Sequence, residues 1–387
     1  MFLETRLNSL TKIGMITCWY ENISMENYSK NLKEALEKNK RLQVKIVSSH
    51  CLCRQWYAQG RNIFEGECKV VSVPYLATLT NPQGLTRIFA FLTESFLHVL
   101  RALQYWKETK DCDIVHYQQS ASYSFGILPL FFLLLLSSPK KRIVTIHNID
   151  PLSLNPKLKF LNKAYRRATK IIVHSRGLRK IAKSLGIPEH KIAVIPHGSQ
   201  SVQQYGLERK EITFFGAPIE RKGFPTVLEA LKILKDKGQK LSVNIYGIYS
   251  EKDKDIAISK AKSIGVNDQL IWGGRLTETE FDRKMQESLF TFATYTRGFM
   301  SGSNIVTRAM ANATPIIASN VGTIPEYLGE GGVLVPPNDP TVLAEAIEML
   351  LKNKTKREKL GEKGKERAQK LFTWNRIAEK TAEVYEN

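Results

Sequence analysis

The chain has 387 residues, 43% hydrophobic and 24% charged, enough apolar material for two globular cores and too little bias for a disordered or fibrous chain. Lys and Arg number 57 against 37 Asp and Glu, a formal net charge of +20, which predicts attraction to phosphate carried by nucleic acid, anionic lipid or small molecules. The five cysteines are odd in number, with no C-x-x-C pair and no Cys/His cluster. They argue against a disulfide scaffold or a zinc knuckle and read as reduced, packed thiols. No apolar core precedes Lys12, so no signal peptide is expected.

Short runs rich in Val and Ile alternate with helical stretches from end to end. Strands are expected over 13–19, 43–49, 69–75, 113–118, 142–148, 170–175 and 192–198, with helices such as Glu26 to Lys38 and Leu85 to Trp106 between them. The second half continues with strands over 212–217, 241–247, 270–274, 290–295, 314–319 and 332–337. Continuous apolar strands separated by helices are the mark of parallel sheets buried on both faces, because right-handed crossovers lay a helix on each side. The fold class is therefore α/β throughout.

The apolar run from Ile127 to Leu136 is about half of the roughly 20 residues that span a bilayer. It reads as a buried helix between strands; the basic flank Lys140-Lys141-Arg142 keeps a membrane-surface contact open. The pattern lapses over Ser199 to Lys210, which is polar and without periodicity. A first domain over 1–203, a second over 204–370 and a C-terminal helix over 371–387 packing back on the first are expected. Two doubly wound domains facing each other would place the carboxyl ends of their strands around a central cleft.

The second domain opens with FFGAPIERKGF. A strand runs into Gly216, and a short loop carries Arg221, Lys222 and Gly223. Glycine suits close backbone approach to a ligand and lysine suits phosphate charge; a turn with solvated charges is the competing reading. Further on, Met300-Ser301-Gly302-Ser303-Asn304 precedes the helical IVTRAMANA. Backbone N–H groups at such a helix start form a ready anion site, although Ser303 or Asn304 could serve as a plain N-cap. TPIIAS and VGTIPE follow, with Glu326 at the mouth of the expected cleft.

In this order, G-x5-K-G, the Gly/Ser-rich helix start, the A-M-A helix, T-P-I-I-A-S and V-G-T-I-P-E resemble the nucleotide-sugar half of family 4 glycosyltransferases. These have the GT-B fold, two Rossmann-like domains around a cleft. DIVHYQ, VTIHNIDP, IIVHSRGLRKIAKSLG and KIAVIPHG resemble the family's first half, so the likeness covers nearly the whole chain. It implies retaining transfer of a sugar from a nucleotide diphosphate sugar to a glycan or lipid-linked acceptor, with no cofactor and no obligatory metal. By the family's pattern Lys222 would hold the diphosphate and stabilise the leaving group. His147 would line the sugar site, and Gly216, Arg221, Gly302, Ser303, Asn304 and Glu326 would serve the donor. His116, His174 and His197 read as satisfied strand-end residues.

The departures concern the donor side. Where the family carries two glutamates with seven residues between, the second on the nucleotide ribose, this chain has Met300 and Arg308. An arginine cannot accept hydrogen bonds from hydroxyls; it is expected to face the cleft and bond an acidic part of the donor or Glu326. Ala217 stands where an arginine is usual, with Arg221 one turn away. Asn22-Ile23-Ser24-Met25 replaces a glycine-rich loop. Two other readings stay open: a non-catalytic homologue that binds a sugar nucleotide or supports a partner transferase, and a sugar-nucleotide epimerase. The epimerase would need cleft carboxylates for proton transfer at carbon.

The chain shows no aromatic-interleaved basic stripe and no nucleic-acid reader motif. Its cations crowd first-domain helices instead, Lys163, Arg166, Arg167 and Lys170 among them. With a lipid-linked acceptor, this predicts a cytoplasmic protein that visits the anionic inner surface of the membrane.

Overall fold

The computed structural model describes residues 10–18, 23–51, 68–75, 85–119, 140–147, 163–199, 202–297 and 303–387. The chain forms two compact units, Met1–Ile195 with Trp374–Asn387, and Pro196–Thr373. Each of the thirteen expected strands has a counterpart.

The first unit is built on β1 (Thr11–Cys18), β2 (Leu42–Cys51), β3 (Cys68–Tyr75), β4 (Ile114–Gln119), β5 (Lys141–Ile146), β6 (Lys170–Val173) and β7 (Ile192–Val194). All pair in parallel, in the order β3-β2-β1-β4-β5-β6-β7. Between these strands the described residues form the helices α1 (Ile23–Glu37), α2 (Leu85–Thr109), α3 (Lys163–Arg167) and α4 (Arg176–Ser184). β7 ends at Val194, short of the expected 198, since Pro196 has no N–H to continue a ladder. On one face Ile13, Met15, Val44, Ile46, Ile114, Ile143 and Ile172 share one core with Tyr28, Leu32 and Leu36 of α1 and with Ile377, Ala378, Val384 and Tyr385 near the end of the chain. The run from Ile127 to Leu136 lies outside the described residues. Cys112 is a buried free thiol; burial pushes its pKa up.

The second unit carries β8 (Glu211–Phe215), β9 (Val243–Tyr246), β10 (Leu270–Gly274), β11 (Ser288–Ala293), β12 (Ile316–Ser319) and β13 (Val333–Val335). They too are parallel, in the order β10-β9-β8-β11-β12-β13. Its helices are α5 (Phe224–Asp236), α6 (Glu251–Ser263), α7 (Glu278–Glu287), α8 (Asn304–Ala311), α9 (Ile324–Leu328), α10 (Pro340–Lys352) and α11 (Lys354–Leu371). Val227, Leu228, Leu231 and Leu234 of α5 pack with Leu343, Ile347 and Leu350 of α10 in the core over Phe214, Ile245 and Phe292.

The division at Ile195/Pro196 precedes the expected 203/204. The polar stretch 202–210 is bonded into the second unit. Tyr205 N donates to Gln286 Oε1 at 2.9 Å. The Arg209 guanidinium donates to the carbonyls of Gln286, Ser288, Asn312 and Ala313 at 2.8–3.1 Å. Lack of periodicity marked a segment without a helix or strand, and side-chain bonds tie it down.

The final helix α12 (Trp374–Glu386) belongs to the first unit. Ile377, Ala378, Thr381, Val384 and Tyr385 form one buried stripe, at the i, i+4, i+7, i+8 spacing of a helix face. Fully burying such an aliphatic side chain stabilises by about 1.5–3 kcal/mol.

Candidate donor site

In the second sheet the strand order reverses between β8 and β11, and ligands of doubly wound sheets bind at the carboxyl ends of strands flanking such a point. Beyond β8 the chain turns through Gly216, whose N–H donates to the Tyr246 carbonyl at 2.7 Å. A short turn over Glu220–Lys222 then leads to Gly223 and α5. Gly223 has φ of 68°, and a Cβ there would sit 1.6 Å from the Thr294 carbonyl oxygen, so a side chain is excluded. The Thr294 hydroxyl donates to the Lys222 carbonyl at 3.2 Å, and Thr296 N–H to the Arg221 carbonyl at 3.3 Å. The loop is thereby pinned to the end of β11.

This pinning folds the Lys222 side chain over Gly216, where a Cβ would meet Lys222 Cε at 3.5 Å. The ammonium donates to the Tyr295 hydroxyl at 2.9 Å and stands 4.7 Å from the centre of that ring. The Tyr295 hydroxyl is 3.1 Å from Ser303 Oγ. Ser303 is the N-cap of α8, its Oγ accepting from Val306 N at 3.4 Å, and Asn304 is the first helical residue. Burial pushes the Tyr295 phenol up, but the charge and hydrogen bond of Lys222, the bond with Ser303 and the charge of Arg221 outweigh it, and the net direction is down. A lysine and the positive end of a helix are thus connected through one buried tyrosine, an arrangement suited to a phosphate group.

Arg221 is exposed on the same turn. Glu326 lies half-buried in α9, its backbone carbonyl accepting from Arg367 at 2.8 Å. Gly302, with Met300 and Ser301, lies outside the described residues.

Arg308 departs from expectation. Its side chain is 10% exposed and bonds neither Glu326 nor open space. It donates to Glu278 Oε2 at 2.7 Å, to the Glu278 carbonyl at 3.3 Å and to Asp282 Oδ1 at 2.7 Å. The guanidinium lies 3.9 Å from the centre of the Phe281 ring. Two carboxylates on α7 neutralise the cation, so it is not an anion receptor. Residue spacing could not show this, because α7 and α8 meet only in the tertiary structure.

In the first unit His147 follows β5, 5% exposed. Its Nε2 is 2.9 Å from Gln118 Oε1 and its Nδ1 2.9 Å from His174 Nε2. His174 Nδ1 donates to the Ile195 carbonyl at 2.9 Å. His116 lies between the Tyr385 hydroxyl (2.6 Å) and Thr145 Oγ1 (2.7 Å), and burial pushes its pKa down to about 3. The rings of His116, His174 and His197 are each hydrogen-bonded, His197 Nδ1 donating to the Gly198 carbonyl at 2.8 Å; only His174 directly follows its strand, since His116 lies within β4 and His197 three residues past β7. His147 is equally engaged from within its own unit. The signal for the cluster was the alternation of His116 with Gln118 and of Thr145 with His147, which sets each pair on one face. Tyr295, Glu278 and Asp282 carried no such signal.

Two Rossmann-like units of parallel strands, one with a lysine-bearing loop at its switch point, define the fold class of GT-B glycosyltransferases. Residues 25–199 match glycosyltransferase family 4 and residues 200–367 match the group 1 glycosyl transferases; the chain belongs to this family. It is 28% identical over 239 residues to the capsular polysaccharide biosynthesis glycosyltransferase CapM of Staphylococcus aureus, covering 56% of this chain and 61% of that protein. The match thus spans about three fifths of that relative. The fold is similar to that of sucrose-phosphate synthase from Thermosynechococcus elongatus, with TM-score 0.74, 18% identity and coverage of 97% and 98%. It is also similar to that of Anabaena HepE in complex with UDP-glucose, with TM-score 0.71, 14% identity and coverage of 96% and 98%.

Proposed function

We propose that the protein transfers a sugar from a nucleotide diphosphate sugar to a glycan or lipid-linked acceptor, with retention at the anomeric carbon and without a metal ion. The observation that carries this reading is Lys222, held over Gly216 by Tyr295 and Ser303 at the switch point of the second sheet. As the glycosidic bond breaks, negative charge grows on the departing diphosphate. Lys222 and the start of α8 supply fixed positive charge for it. Arg221 adds an exposed cation, and the first unit takes the acceptor.

HepE's complex with UDP-glucose makes uridine nucleotides the first probes. Among the described residues no helix is long and apolar enough to cross a membrane. Association with an anionic cytoplasmic surface through first-unit cations is part of this proposal. UDP should raise the melting temperature by mass action, and Lys222→Ala should abolish the rise. An equal rise in both proteins would remove Lys222 from the site and this reading with it.

A further inference from the structure

Arg308 cannot accept hydrogen bonds from sugar hydroxyls, and the structure places a carboxylate of another element against it. We propose that Glu278, held by Arg308, accepts the vicinal hydroxyls of the nucleotide's ribose. This inference rests on reading the site as one for a nucleotide sugar.

Position is the first argument. α7 starts just after Gly274, the last residue of β10, so Glu278 stands at the same carboxyl edge of the sheet as Gly216. Contacts run unbroken from the lysine to this carboxylate. Lys222 lies over Gly216, and the ring of the preceding Phe215 is 4.5 Å from that of Phe281. Phe281 lies beneath Arg308, and Arg308 bonds Glu278.

Presentation is the second. A group that orients a ligand must be both fixed and open, so that little ordering remains to be done on binding. The Glu278 side chain is 63% exposed, while the arginine that holds it is 10% exposed. The arginine takes Oε2, and Oε1 accepts no bond among the described residues. Asp282 is only 16% exposed and is shared by Arg308 and Asn312. Glu280 and Asp253 are occupied in capping boxes with Thr277 and Ser250.

Charge is the third. One guanidinium against two carboxylates leaves the cluster net negative, which suits hydroxyl donors and not the diphosphate that Lys222 takes. An ionised carboxylate accepts and never donates, and in doubly wound nucleotide-binding domains an acidic residue bonds the ribose hydroxyl.

Calorimetry with UDP and 2′,3′-dideoxy-UDP on the wild type, Glu278→Ala and Glu278→Gln tests the proposal, with melting temperature confirming each variant's fold. The wild type should prefer UDP by about tenfold, and both variants should bind the two nucleotides within about twofold of each other. A preference kept at tenfold in both variants would overturn the assignment, and so would a wild type that binds both nucleotides equally. A wild type that binds neither would instead sink the nucleotide-sugar reading, and this inference would fall with it.

Discussion

The Lys222 ammonium donates to the Tyr295 hydroxyl at 2.9 Å, and the same hydroxyl reaches Ser303 Oγ at 3.1 Å. One buried phenol therefore joins the loop after β8 to the cap of α8. Removing it should loosen both. Tyr295→Phe keeps the ring and loses both bonds. Only the bond to Lys222 bears directly on the phosphate ligand; at about 1 kcal/mol for that bond, UDP affinity should fall about fivefold. Isothermal calorimetry would show this; unchanged affinity would mean that Lys222 is held by its loop alone.

Gly223 should tolerate no side chain. A left-handed backbone costs a non-glycine residue about 1–2 kcal/mol, and the Thr294 carbonyl leaves no room for a Cβ. Gly223→Ala should lower the melting temperature and displace Lys222, so that UDP no longer protects. A variant with full protection would show that the loop can close another way.

Restoring a glutamate at position 308 should not rescue anything. It would bring a third carboxylate against Glu278 and Asp282 and leave the second unit without its α7–α8 bond. Arg308→Glu should destabilise by about 3 kcal/mol, the cost of breaking a largely buried pair. The double variant Arg308→Glu, Glu278→Arg should recover part of that loss in urea unfolding. An Arg308→Glu protein as stable as the wild type would deny the pair its structural role.

Acid should weaken the first unit through His116. Its folded pKa is pushed below the ordinary value of 6.5 to about 3 by burial, so the unfolded chain takes up a proton first. The associated stability is intact above about pH 6.5 and is lost as pH falls towards 3, at up to about 1.4 kcal/mol per pH unit. His116→Gln should flatten the dependence of melting temperature on pH across that window. Equal slopes in the two proteins would place the acid sensitivity elsewhere.

Much of this protein was legible in its residues. The alternation of apolar runs with helical stretches determined two α/β halves, and the G-x5-K-G loop placed Lys222 after a strand. The last helix was expected to return to the first unit, and its apolar stripe of Ile377, Val384 and Tyr385 is what the structure buries there. Such features are local, written in periodicity and in the few residue types that a turn or a phosphate accepts. The partner of Arg308 was decided by the tertiary structure alone. Charge and reach suggested Glu326 or the donor, yet α7 packs beside α8 and offers Glu278 and Asp282 within 2.7 Å. The same holds for His147, whose nitrogens are taken by Gln118 on one adjacent strand and His174 beyond another. Which opposite charge or ring a side chain meets depends on how whole elements dock. That is set by the burial of their apolar faces, not by the polar residues that then find themselves together.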